Sequence, residues 1–223
     1  MIEAVKAKFS DENETLFSED AGVLSELGLQ YDVCSDCLLS AEVCQKVYEL
    51  IYSILGKDID DENSACSIVL NNTGNGQIVL NRPKNSLLYV FNSDEYAFNI
   101  ASVQSSVAEK NKHNEFFKVD ISAIFGGAVN NNFNADVVIC QGFCRELIYK
   151  EVDSEMFYRN LDCQEYFTLR ASNLIKKSGL VVSIIPQEIE DKIISLCAIS
   201  NMEKVASLSY GNVKIVFFKK ANQ

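Results

Sequence analysis

The chain lacks a long apolar run. No stretch approaches the roughly 18–20 residues that a bilayer-spanning helix requires. The first residues, MIEAVKAKFSDENETLFSED, lack the basic-then-apolar pattern of a secretory signal. A cytoplasmic location without a membrane partner is the expectation. Histidine is nearly absent. The single one, His113, sits in the polar stretch EKNKHNE, which reads as solvated surface and gives a Cys–His catalytic pair little to build on. Positive charge is scarce too. Lys+Arg number 20 against 31 Asp+Glu, for a formal net charge of −11. The notable basic clusters are only the pairs Lys176-Lys177 and Lys219-Lys220. A phosphate backbone repels such a surface, so nucleic acid is expected as a partner only with help from another subunit. No GxSxG and no P-loop pattern occurs.

Cysteine, by contrast, is plentiful, with eight residues. Without a secretory signal these read as reduced thiols rather than a disulfide framework. Cys66, Cys140 and Cys197 fall inside apolar runs, where cysteine behaves as a small hydrophobe. Cys34 and Cys37 form a CxxC, but a zinc site needs a second pair of ligands, so no metal is expected.

Hydrophobic residues make up 48% of 223, enough for one domain with a sizeable core and a small appendage. The expected division is a helical segment over 1–60 and an α/β domain over 61–223. Apolar spacing predicts helix over much of 21–55. Ser40 is placed as N-cap before AEVCQKVYELIYSIL, and Gly56 as its stop. DIDDENSA reads as an acidic turn. Strands are expected at CSIVL (66–70), SLLYVF (86–91), FFKVD (116–120), DVVIC (136–140) and LVVSIIP (180–186). Helices are expected over 94–110, near 162–177 with Gly179 as the stop, and over 188–199. IVLNRPKN reads as a helix cut short by Pro83 or as a strand. KVASLSY and VKIVFFKK, separated by Gly211-Asn212, read as an antiparallel pair. Alternation of this kind predicts a doubly wound, mostly parallel seven-stranded sheet, Rossmann-like, ending in an antiparallel pair.

From about Leu29 to Lys220 this order resembles a class I methyltransferase that uses S-adenosylmethionine. The pattern is most similar to adenine-specific DNA methylases, including the modification subunits of type I restriction systems. NADVVICQGF occupies the place of the family's NPPF or NPPY turn. GLQYDVCSDCLLSAEVCQKVYELI is similar to the segment before the family's catalytic domain, and VKIVFFKK to its last strand. The resemblance implies S-adenosylmethionine as cofactor. It places the first cofactor loop at IVLNNTGNGQ, where Gly74 and Gly76 keep a GxG and Asn71 or Asn72 replaces the strand-end acid. The ribose-binding acid would fall at Phe91 or Asn92. Asp94 and Glu95, slightly later, read better as helix N-terminal acids. Asp120 fits the acid after the third strand.

In the family, an Asn side chain and a proline carbonyl accept hydrogen bonds from the target amino group, and an aromatic ring stacks on the flipped base. Here Gln141 and Gly142 take the first two places. Phe143 takes the third if one residue is deleted, and Cys144 takes it otherwise. A longer amide arm and a looser glycine misplace the acceptors, and about 1 Å can cost about 100-fold. The implied function is a degenerate adenine-methylase relative, a pseudoenzyme in the limit. The alternatives are a non-catalytic interaction module with a protein partner or a second copy of itself, or a methyltransferase for a non-DNA substrate.

Overall fold

The computed structural model describes residues 39–71, 76–92, 115–118, 134–141 and 168–221. Helix α1 spans Ala41–Leu55. The Ser40 hydroxyl oxygen accepts from the Val43 N–H at 3.3 Å, and Gly56 closes the helix at φ 67°. Both caps stand where the sequence puts them. Val43, Cys44, Val47, Tyr48, Ile51 and Tyr52 form its buried stripe, at the i, i+4 spacing of one helix face. Replacing Ser40 with alanine should cost about 1 kcal/mol in urea denaturation, whereas Ser40→Asp should retain most of the stability.

After α1 come β1 (Cys66–Leu70), the short α2 (Gln77–Leu80), β2 (Ser86–Asn92), β3 (Glu115–Lys118), β4 (Ala135–Gln141) and β5 (Ile175–Pro186). A 3₁₀ turn (Gln187–Ile189) leads into α3 (Glu190–Ile199), then β6 (Met202–Tyr210) and β7 (Val213–Lys220). The strands form one seven-stranded sheet in the order β3-β2-β1-β4-β5-β7-β6. β1 to β5 pair in parallel, and β7 lies antiparallel between β5 and β6. Gly211, at φ 56°, makes the turn between β6 and β7.

Alternation along the strands splits the core into two layers. Ile68, Leu70, Val137, Ile139, Leu180 and Val182 pack toward α1. Val69, Val138, Cys140, Val181, Val216 and Phe218 pack toward Ile193 and Cys197 of α3. The inner strands are apolar on both faces because both faces are covered. Helix α1 shares the first layer with the sheet. Glu190 fastens α3 to the terminal hairpin through Lys204 at 2.7 Å and Lys214 at 3.4 Å.

One boundary differs from the sequence expectation. The helix read as ending near Lys177 ends earlier, with helical backbone at 168–171 and strand from Ile175. Gly179 therefore lies within β5 instead of stopping a helix. The register explains this: Ala135 pairs Ile175 and Val137 pairs Leu180, so Lys176–Gly179 bulges out opposite Asp136. IVLNRPKN contributes the single helical turn α2. The helices expected before Leu39 and over 94–110 lie outside the described residues.

Candidate functional site

In an open parallel sheet, ligands bind beyond the carboxyl ends of the strands where the strand order reverses. Here that place is between β1 and β4, and two predicted site residues meet there. Asn71 follows the last residue of β1, and Gln141 ends β4. The Gln141 N–H donates to Asn71 Oδ1 at 3.1 Å, and the Asn71 N–H donates to the Ile139 carbonyl at 3.3 Å. Since Leu70 pairs with Ile139, continuing the ladder would bring the Gln141 N–H to the main-chain carbonyl of Asn71. The side-chain oxygen takes that rung instead, and β1 ends there.

This bond fixes which way the carboxamide faces. A backbone N–H can only donate, so the oxygen must point to it and the nitrogen away. Asn71 is fully buried and Gln141 is 2% exposed. Asn71 Nδ2 has no hydrogen-bond partner among the described residues. A buried donor left this way costs about 1–3 kcal/mol and calls for an explanation, such as a ligand or an ordered water.

Gly76 leads into α2 at φ 77°, ψ −4°, a left-handed conformation that a side chain would strain. It is the one GxG glycine within the described residues. Two tyrosines of α1, not singled out in the sequence, hold the segment that follows it. The Tyr48 hydroxyl donates to the Ile78 carbonyl at 2.6 Å, and Tyr52 donates to Asn85 Oδ1 at 2.8 Å. Asn85 Nδ2 in turn donates to the Asp61 carbonyl at 2.8 Å, pinning the acidic turn. Burial pushes the Tyr48 phenol well above its usual value. Arg82, 1% exposed, donates to the Val79 carbonyl at 2.9 Å, and burial lowers its guanidinium from the ordinary value. Their i, i+4 places on α1 were the available signal for the tyrosines, but a core tyrosine and a positioning tyrosine look alike in sequence.

Asn92 ends β2, paired with Lys118 of β3, so it shares the carboxyl edge with Asn71 and Gln141. Phe91, its competitor for the ribose position, belongs to the second core layer at 1% exposure. Asn72, Gly74, Asp94, Glu95, Asp120, Gly142, Phe143 and Cys144 lie outside the described residues, as do Cys34, Cys37 and His113. Cys44, Cys66, Cys140 and Cys197 are buried. Burial pushes the Cys44, Cys66 and Cys197 thiols up to about 12, where thiolate chemistry at neutral pH is suppressed. Among the described residues no group of three or more His, Cys, Asp or Glu is placed to hold a metal.

Both lysine pairs fall at the opposite edge of the sheet. Lys176 and Lys177 lie at the start of β5, and Lys219 pairs with Leu180. Lys176 is engaged by Asp136 at 3.0 Å. Among the described residues no helix is long and apolar enough to cross a membrane.

No protein-family model matches the chain, and no curated protein matches it in sequence. Solved structures do match in shape. One is a Listeria monocytogenes protein provisionally assigned as a class I S-adenosylmethionine-dependent methyltransferase. It has TM-score 0.61 and 13% identity, over 96% of this chain and 71% of that one. Another is magnesium protoporphyrin IX methyltransferase from Synechocystis PCC 6803 with bound S-adenosylmethionine. It has TM-score 0.55 and 9% identity, over 98% and 90%. The ribosomal protein L11 methylase of Lactobacillus delbrueckii subsp. bulgaricus has TM-score 0.52 and 9% identity, over 91% and 79%. At such identities the likeness carries the fold alone, and that fold is the class I methyltransferase fold.

Proposed function

We propose that this chain is a degenerate relative of adenine-specific DNA methyltransferases, one that binds S-adenosylmethionine at the β1/β4 edge and transfers methyl groups poorly. The observation that carries the binding is the Asn71–Gln141 junction at the point where the strand order reverses. It pairs a fixed backbone with a buried donor that a ligand oxygen would satisfy. Gly76, in its left-handed conformation, suits close approach of backbone to a ligand. Asn71, Gly74, Gly76, Asn92 and Asp120 are the residues that would hold the cofactor, which supplies an electrophilic methyl group when bound.

Poor transfer follows from Gln141. The residue is buried at 2% exposure, so its side-chain amide is not presented to a base, and its main-chain N–H is held by Asn71. Placement of the lysine pairs at the far edge, with a net charge of −11, supports the view that DNA is reached only beside another subunit. The same features favour the second reading, a non-catalytic module whose partner is a protein or a second copy of the chain, in which the cofactor site is idle.

Isothermal titration with S-adenosylhomocysteine tests the binding. Saturable heat is expected. Gly76→Val should weaken the affinity about tenfold or more while circular dichroism stays native, since a side chain there strains the turn. Absence of any heat with the wild-type chain would sink the cofactor reading and leave the interaction module. Transfer of a labelled methyl group to adenine-containing duplex should stay at background, and vigorous incorporation would refute the impaired chemistry.

A further inference from the structure

We infer that Tyr48 is a positioning residue for the cofactor loop: its buried hydroxyl fixes the peptide plane that holds Gly76, and ligand affinity depends on that bond. This rests on the cofactor reading above and goes beyond it, to a residue of α1 that acts through the main chain. The Tyr48 hydroxyl donates to the Ile78 carbonyl at 2.6 Å. That carbonyl and the Val79 N–H belong to one peptide unit, which is planar and stiff. The Val79 N–H donates in turn to the Gly76 carbonyl at 3.0 Å, and the Leu80 N–H donates to the same oxygen at 3.0 Å. An anchor on one side of the plane is thus carried to Gly76 on the other, and bonds in such a chain polarise one another.

The segment needs an anchor from outside itself. α2 is four residues long, well short of what a helix needs to hold its own shape. The carbonyls of a last helical turn lack following helical N–H groups, and side chains serve them here. Asn81 Nδ2 donates to the Gln77 carbonyl at 2.9 Å, Tyr48 to that of Ile78, and Arg82 to that of Val79 at 2.9 Å. Asn81 and Arg82 directly follow α2 and move with it. Of the three, Tyr48 alone belongs to another element. Ile78 and Val79 share the first core layer with α1, but apolar packing is non-directional. A hydrogen bond is directional, so the Tyr48 bond sets the tilt of α2 on that contact. Gly76, at φ 77°, has no side-chain bond with which to hold its own place.

Tyr52, one turn further along α1, supplies the matched comparison. Each of the two tyrosines is 1% exposed, but the Tyr52 hydroxyl donates to Asn85 Oδ1, beyond Pro83 at the amino edge of β2. Tyr48→Phe and Tyr52→Phe each keep the buried ring and remove one hydroxyl bond, so the two full-length variants should lose similar amounts of melting temperature. Isothermal titration with S-adenosylhomocysteine should then separate them. Binding should weaken about fivefold or more in Tyr48→Phe, the size of one net hydrogen bond, and less than about twofold in Tyr52→Phe. Hydrogen exchange without ligand should be faster at the Val79 amide in Tyr48→Phe than in Tyr52→Phe. Equal weakening in the two variants would assign the loss to general destabilisation and overturn the inference. So would wild-type affinity in Tyr48→Phe, or equal exchange at Val79, and in each of these cases the cofactor reading stands. If the wild-type chain binds no S-adenosylhomocysteine, the cofactor reading itself fails, and the inference with it.

Discussion

Replacing Asp136 with alanine is expected to cost about 2–3 kcal/mol at pH 7, and the gap should narrow toward pH 2 as the carboxyl takes up its proton. Asp136 lies at the start of β4, directly opposite Ser67 of β1. Its Oδ2 accepts from the Ser67 N–H and hydroxyl, each at 2.9 Å. The Asp136 N–H donates back to the Ser67 hydroxyl oxygen at 2.9 Å. Lys176 reaches Oδ1 at 3.0 Å, and Lys57 stands 3.6 Å from Oδ2. Burial alone would raise this carboxyl. The bonds from Ser67 and Lys176 and the charge of Lys57 outweigh it and hold the group below the ordinary carboxylate value.

A pKa depressed in the folded state means the unfolded chain binds the proton more readily. The stabilisation is thus fully present above the unfolded value of about 3.9. It is lost as pH falls through the lower folded value. Lys57 and Lys176 retain partial contact with solvent, which keeps the cost below that of a fully buried pair. Urea denaturation of both proteins at pH 7 and near pH 2 measures this. An equal gap at the two pH values would show that the carboxylate charge contributes nothing.

Asp136 was legible as a strand residue and no more. Its partners lie 69 and 40 positions away, and no local pattern signals a bond across that span. Asn71 and Gln141 were each legible as strand-end residues standing where the resembled family has an acid and an asparagine. Their hydrogen bond was not, since it depends on β1 and β4 being neighbours in register. What the sequence carried well was local or periodic: the Ser40 and Gly56 caps, the Gly211-Asn212 turn, and the runs CSIVL, DVVIC and VKIVFF. The start of β5 was hidden because IKKSG is polar and follows a helical pattern, so it imitates a helix end. The strand there is imposed by pairing with Ala135, a tertiary effect that overrides local preference.

These contacts tie the site to the far edge of the sheet. β1 and β4 are joined by side chains at both ends, Ser67–Asp136 below and Asn71–Gln141 above. Between them the ladder runs in register from Ile68–Val137 to Leu70–Ile139. Shifting either strand by one residue would break both junctions and turn each apolar side chain to the wrong layer. The staple at the bottom thereby fixes where Asn71 and Gln141 meet at the top.

Gly179→Val should be the most damaging single change within β5, costing about 2–3 kcal/mol by overpacking. A Cβ at Gly179 would stand 2.8 Å from Ile175 Cβ, 3.0 Å from the Asp136 carbonyl oxygen and 3.1 Å from the Lys176 amide nitrogen. Two of the three neighbours are main chain and the third is a Cβ, so none can swing aside as the tip of a long side chain could. Relief requires the Lys176–Gly179 bulge to open, which moves Lys176 away from Asp136 and weakens the staple. The two sites therefore share an energy. A double-mutant cycle of Gly179→Ala with Asp136→Asn should return a combined loss smaller than the sum, by about 0.5–1 kcal/mol, the size typical of residues in contact. Each alanine- or asparagine-bearing chain is compared by urea denaturation at pH 7. Simple additivity would mean that the bulge accommodates a side chain without disturbing Asp136, and that the steric fit at Gly179 and the charge at Asp136 act separately.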